Sequence, residues 1–187
     1  MSDSSMRHNL LTALGCVVFS DKANGSVIHS ATGAVVGSEL VGQAFDHPGY
    51  FCGRPSAIGY NATTSSGTNA GPLGYGSGGV LGPNPALVDA VAERIKALRD
   101  ADPSNTAKVP IDLVTASASG LDPEISPAAA LYQVGRVARA RGLDAGRIET
   151  IVERSIQERT LGILGERRVN VVRLNLTFDL ELGVVKP

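Results

Sequence analysis

The residues best placed to do chemistry lie in one stretch, "TASASGLDPEISPAAALYQ", residues 115–133. A serine nucleophile needs a neighbouring base to take its proton. The three histidines, His8, His29 and His47, all lie far upstream. A small hydrolase would therefore have to pair Ser117 or Ser119 with His29 or His47. The local pattern is not G-x-S-x-G, because Ala116 and Ala118 flank Ser117. The same stretch has a second reading. Ser126 and Pro127 have the residue types of a helix N-cap and first position. Free backbone N–H groups at a helix start attract anions. Ser117, Ser119, Gly120 and Ser126 are thus the candidate anion-binding helix start, although most capped helices bind nothing. Gln133 stands further along among Ala, Leu, Val and Arg. Its amide can donate and accept at once, to a ligand or to a neighbouring loop.

Other patterns carry less. "GYGSGG", residues 74–79, spells G-x-G-x-x-G. A dinucleotide fingerprint needs a strand before it and a helix opening within it. Here Gly71-Pro72 precedes and "VLGPNP" follows, which reads as a loop. Arg54, Arg136, Arg139 and Arg141 can pair with acidic groups of a partner or remain solvated. Cys16 and Cys52 form no CxxC pair, and the histidines share no ligand spacing, so no metal site is expected. The net charge is −1, with 17 basic against 18 acidic residues, which argues against bulk electrostatic binding of nucleic acid.

Elements must position these groups. The 22 glycines and 10 prolines imply many turns and long loops. Residues 26–45 read as a hairpin, "SVIH" turning through Ala31–Gly33 into "AVVGSELVG". Residues 46–85 show almost no periodicity, and a loop of that length is often functional. A helix is expected from Asn84-Pro85 to about Asp102-Pro103, with Leu87, Val88, Val91, Ile95 and Leu98 as its apolar stripe. Residues 109–119 read as a short buried strand. A second helix runs from Ser126 to Gly142 with Leu131, Val134 and Val137 or Ala138 inward. A third follows Asp144, with Ile148, Ile151, Val152 and Ile156 inward. Residues 168–182 alternate Val172, Leu174, Leu176, Phe178, Leu180 and Leu182 with Arg173, Asn175, Thr177, Asp179 and Glu181, the pattern of a half-buried strand. The expected fold is α+β, a small, mainly antiparallel sheet of N- and C-terminal strands with about three central helices. The run "LLTALGCVVF", residues 10–19, would reach only about 15 Å as a helix, half a hydrocarbon core.

Taken in order, "KANGSVI", "VGSELVGQAF", "YFCGRPSA", "LGPNPALVDAV", "VTASASGLDPEISPAAALYQVGRVARARGL" and "RVNVVRLNL" resemble the KdpC family, the C subunits of the Kdp potassium-transporting ATPase. The resemblance covers nearly all of residues 21–180. It implies an accessory subunit with no hydrolytic centre, anchored in the inner membrane by one span, with its soluble domain extracytoplasmic. It implies assembly with a channel-like potassium-binding subunit, a P-type ATPase subunit and a small single-helix subunit. No tightly bound cofactor is implied. The family is described as a catalytic chaperone that raises the ATP affinity of the ATPase subunit, with the glutamine of "LYQ", here Gln133, as nucleotide contact. A stand-alone soluble nucleotide-binding module is the neighbouring reading. "RHNLLTAL" and "VVFSDKANGS" resemble the two flanks of the family's anchor with its middle absent. Residues 1–20 are accordingly expected to be a non-spanning remnant, 21–187 a single domain, and the chain soluble. "LGYGSGGVL", residues 73–81, has the look of an insertion.

Overall fold

A computed structural model describes residues 12–30, 33–56, 60, 85–117 and 119–184. Residues 73–81, Asn84, Ala31 and Ala118 lie outside the described residues, and with them the G-x-G-x-x-G stretch and the proposed Asn84 cap. The chain forms two compact units, Met1–Leu40 and Val41–Pro187.

In the first unit, helix α1 covers 12–18 and a short helix α2 covers Ser20–Ala23. Strands β1 (Val27–His29) and β2 (Val35–Ser38) form the expected antiparallel hairpin, pairing Val27 with Ser38 and Ile28 with Gly37. Leu14, Val17, Val18 and Phe19 are exposed. Among the described residues no helix is long and apolar enough to cross a membrane.

The second unit is built around one helix. Helix α3 (Pro85–Ala101) stops at Asp102, as the following proline demands. A single 3-10 turn follows at Ile111–Leu113. Helix α4 (Pro127–Arg141) comes next, capped by the Ser126 hydroxyl, which accepts from the Ala129 N–H, and closed by Gly142 at φ 64°. Helix α5 (Ala145–Arg154) is capped by Asp144. Strands β3 (Glu124–Ile125), β4 (Ile156–Gln157) and β5 (Arg168–Asn170) make a small antiparallel sheet in the order β3-β5-β4. Helix α6 (Val171–Leu182) ends the unit. Ala129, Ala130, Val134, Val137 and Ala138 of α4 meet Ile148, Ile151 and Val152 of α5, Val169 of β5, and Leu174 and Phe178 of α6 in one core. The alanines bring neighbouring backbones close to α4, which is why this helix can be covered on most sides.

The fold class is α+β, and four expectations within it change. The N-terminal hairpin pairs with itself, and β5 pairs with β3 and β4, so two sheets replace one. Where a buried strand is expected over residues 109–119, the described residues hold only the 3-10 turn Ile111–Leu113, with Leu113 and Val114 inward and Ile111 74% exposed. Residues 171–182 are helix, not strand. Their alternation is real, but Val171, Leu174, Asn175, Phe178 and Leu182 also fall at helical spacing. Asn170 caps that helix by accepting from the Arg173 N–H. The two strands flanking β5 are two residues long, so a longer β5 would have no ladder partner. The cost is Leu180, left 63% exposed. In α4, Leu131 faces out, and Tyr132 and Gln133 join the buried face.

Candidate functional site

Residues 47–56 form a strap, with few backbone partners, held against α4 and α6 mainly by side chains. In an extended chain, successive residues turn their N–H and C=O to opposite sides, so one helix cannot satisfy both. Here two amides divide the task. Asn175 of α6 accepts from the Phe51 N–H at 2.8 Å and donates to the Phe51 carbonyl at 2.9 Å. Gln133 of α4 accepts from the Cys52 N–H at 2.8 Å and donates to the Cys52 carbonyl at 3.1 Å. Each amide imitates one rung of a β-ladder. Phe51 itself is fully buried, its ring 5.2 Å from that of Phe178.

Arginines complete the grip. Arg136 donates to the carbonyls of Pro48 and Tyr50 and to the Gln133 side chain. Arg141, whose side chain is 4% exposed, donates to the carbonyls of Gly49 and Gly183 and pairs with Asp179 at 3.2 Å. Its guanidinium lies over the rings of Tyr50 and Phe178. A buried cation is tolerable only with its protons satisfied in this way. Tyr50 adds a hydrogen bond to Asp179 at 2.9 Å.

Gln133 therefore has two hydrogens and two acceptor bonds committed within the chain, the second hydrogen going to the Ala129 carbonyl, and it is 2% exposed. Of the two uses open to it, the structure displays the tether to a neighbouring loop. The sequence signal, a lone amide inside an apolar helical run, applies equally to Asn175. That residue was missed because the alternation placed it on a solvated strand face.

Ser117, Ser119 and Gly120 share one turn. The Ser117 hydroxyl accepts from the Gly120 N–H at 2.9 Å, and the Ser119 hydroxyl accepts from the Leu121 N–H at 3.1 Å. Gly120 sits at φ 70°, where a side chain would be strained. The turn is a junction: the Gly120 carbonyl accepts from Ser56, the Leu121 carbonyl from the Gly42 N–H, and Asp122 pairs with Arg54 at 3.1 Å. Ser126 is engaged elsewhere. Its N–H donates to Asp112 Oδ2 at 2.6 Å and its hydroxyl to Asp112 Oδ1 at 3.1 Å. The negative charge that the α4 N-terminus favours is thus already supplied, by Asp112 of the 3-10 turn, a role the sequence did not reveal. His47 accepts from the Gly49 N–H and stacks edge-on with Tyr50. Among the described residues no group of three or more His, Cys, Asp or Glu side chains gathers where a metal could sit.

Tyr60 closes one end of the strap. Its hydroxyl donates to the Arg54 carbonyl, and the side chain lies so close to two glycines that a Cβ at Gly42 would meet its ring at 2.7 Å and a Cβ at Gly53 its hydroxyl oxygen at 2.7 Å. Burial pushes the Tyr60 phenol up to about 12, with Cys52 and Asp122 adding to the rise and Arg54 opposing it. The arrangement as a whole holds and orients chain segments. The groups put forward for nucleophilic or anion chemistry are used in turns and caps.

Comparison with known proteins agrees with the motifs that surround this strap. The family model described as "K+-transporting ATPase, c chain" matches residues 8–180. The potassium-transporting ATPase KdpC subunit of Herpetosiphon aurantiacus is 56% identical over 173 residues, covering 91% of this chain and 84% of its own. That of Methylococcus capsulatus is 54% identical, covering 91% and 85%. That of a Janthinobacterium species is 52% identical over 172 residues, covering 90% and 85%. A match of this length and identity, with the Ser/Gly turn, the Arg54 segment and the Gln133 helix all inside it, makes the chain a member of the KdpC family, the c chains of potassium-transporting ATPases.

Proposed function

We propose that this chain is an accessory subunit of an ATP-driven potassium-uptake complex and has no catalytic centre of its own. It works by protein contact with a channel-like potassium-binding subunit, a P-type ATPase subunit and a small single-helix subunit. Any rise in the ATP affinity of the ATPase subunit is transmitted through those contacts and not through a nucleotide on Gln133. The observation that supports this is the state of Gln133: an amide with every hydrogen-bond position in use has none left for a base or ribose. The family's extracytoplasmic placement points the same way, since a domain outside the membrane does not meet cytoplasmic ATP. The hydrolase reading with Ser117 or Ser119 is not favoured, because the chain belongs over residues 8–180 to the c chains of potassium-transporting ATPases.

Calorimetric titration of ATP into the chain and into Gln133→Ala tests the reading. The substitution is expected to change nucleotide affinity less than tenfold, about 1.4 kcal/mol. Clear wild-type binding that disappears in a variant still folded by circular dichroism would restore the nucleotide role.

A further inference from the structure

Gly135 stands in the middle of helix α4, where glycine holds the chain less well than alanine. Two reasons ordinarily explain such a glycine, and neither applies. Its φ is not left-handed, unlike that of Gly142, which closes the same helix. Nor is it crowded. Among the described residues, a Cβ placed there would meet Arg139 Nη1 at 3.5 Å and Asp102 Oδ2 at 3.6 Å, ordinary contact distances that Gly42 and Gly53 do not have. What the missing methyl leaves is room in a cleft of about 480 Å³ between α4 and the chain that follows α3. A second residue of the same wall is also unfavourable for the fold. Tyr132, three residues before Gly135, is 9% exposed, and its buried hydroxyl has no hydrogen-bond partner among the described residues. Two neighbouring choices that lower stability on one cleft wall are the mark of a surface kept for binding.

The groups left open in the cleft define its ligand. The Asn105 amide is in use, donating to the Tyr132 carbonyl and accepting from the Ala107 N–H. Asp102 receives both Arg139 and Ser104 on Oδ1, while Oδ2 borders the space beside Gly135. Lys108 lines the cleft and forms no ion pair among the described residues. An anionic acceptor, a cationic donor and a hydroxyl therefore remain, with Leu131 as an apolar flank. We propose that this cleft binds a small organic acid carrying a hydrogen-bond donor beside its carboxylate, the chemistry shared by α-amino and α-hydroxy acids. The carboxylate pairs with Lys108. The adjacent N–H or O–H donates to Asp102 Oδ2, and a short aliphatic body fills the room at Gly135 against Leu131. The Tyr132 oxygen is closed off from water, so the ligand reaches it as the cleft wall yields, a side-chain adjustment common on binding. A phosphate dianion fits less well, because it would face the Asp102 carboxylate with one unpaired cation to offset the repulsion.

Calorimetric titration of the full chain with leucine and with α-hydroxyisocaproate tests this. At least one should bind with a Kd of about 1 mM or tighter, the tighter of the two identifying the donor as ammonium or hydroxyl. Isocaproate, which lacks the donor, and leucinamide, which lacks the carboxylate, should each bind at least tenfold more weakly. Gly135→Ala should raise the melting temperature by about 2–4 °C, as alanine suits a helix interior better, and weaken binding at least tenfold by filling the cleft. Tyr132→Phe should keep or raise the melting temperature and also weaken binding, and Lys108→Gln should weaken it at least tenfold with the fold unchanged by circular dichroism. A loss of stability in Gly135→Ala or in Tyr132→Phe would give these residues a packing role and overturn the proposal. So would the absence of binding by both acids, or binding by Gly135→Ala at the wild-type level. Displacement of the acid by an equal concentration of sulfate would reduce the cleft to a site for an adventitious ion only, and would overturn it too.

Discussion

Asn175→Ala should be among the most damaging single substitutions in the second unit, although it removes only a small polar group. The amide it deletes satisfies both the N–H and the carbonyl of Phe51, a residue with no exposure. Each buried group left without a partner costs about 1–3 kcal/mol, so two orphaned together give about 2–6 kcal/mol. For a chain of this size each kcal/mol lowers the midpoint by about 2–4 °C, and the loss should be roughly 10 °C. Urea denaturation followed by far-UV circular dichroism measures it directly, with an unchanged m-value showing that the unfolded reference is the same. Gln133→Ala should cost a similar amount, through Cys52. Because both amides hold one strap, loss of the first loosens what the second still holds. The double variant should therefore be less destabilised than the sum, by about 1–2 kcal/mol. A cost under 1 kcal/mol for Asn175→Ala, or additivity within about 0.5 kcal/mol, would refute the shared-clamp reasoning.

Two further predictions concern Tyr60. Gly53→Ala places a Cβ 2.7 Å from the Tyr60 hydroxyl oxygen and no other close atom but the ring itself, so Tyr60→Ala should relieve much of its destabilisation; at Gly42 the Asp122 carbonyl at 2.9 Å remains, and the same second change should rescue Gly42→Ala far less, as thermal melts of the four variants would report. The Tyr60 phenol, raised by burial to about 12, favours the folded state fully below the unfolded value of 10.0 and loses that contribution as pH climbs from 10 towards 12, a fall in stability that Tyr60→Phe should flatten and that a tyrosinate absorbance titration should parallel; equal slopes in both proteins would remove Tyr60 as the cause.

Local signals in the sequence were read well where a single residue type does a single job. Ser126, Pro127, Gly142 and Asp144 mark helix ends through their own backbone and side-chain chemistry, and they sit where that chemistry requires. The hairpin of β1 and β2 follows from alternation and a turn close in sequence. In residues 168–182 the strand reading holds for Arg168–Asn170 and fails for 171–182, whose apolar positions satisfy periods of 2 and 3.6 together. The choice was made by the short strands beside β5, which lie far away in sequence. The site suffered for the same reason. Gln133 was noticed as an odd amide, but its partner is 81 residues away, and the Asn175 amide meets a backbone 124 residues away. No local pattern encodes those pairings. Asp112 at the α4 start was equally hidden, 14 residues from Ser126 across an intervening turn.

The strap also orders events in time. Phe51 leaves the ribosome 124 residues ahead of the side chain that satisfies its backbone, which belongs to α6. Until α6 leaves the ribosome, the apolar ring of Phe51 stays in water, because burying its two peptide groups would leave them without partners. Closing so long a loop comes at an entropic penalty before any contact repays it. Chains truncated before residue 175 should thus be recognised by chaperones and proteases as unfinished, and α6 acts as a quality-control seal on the strap.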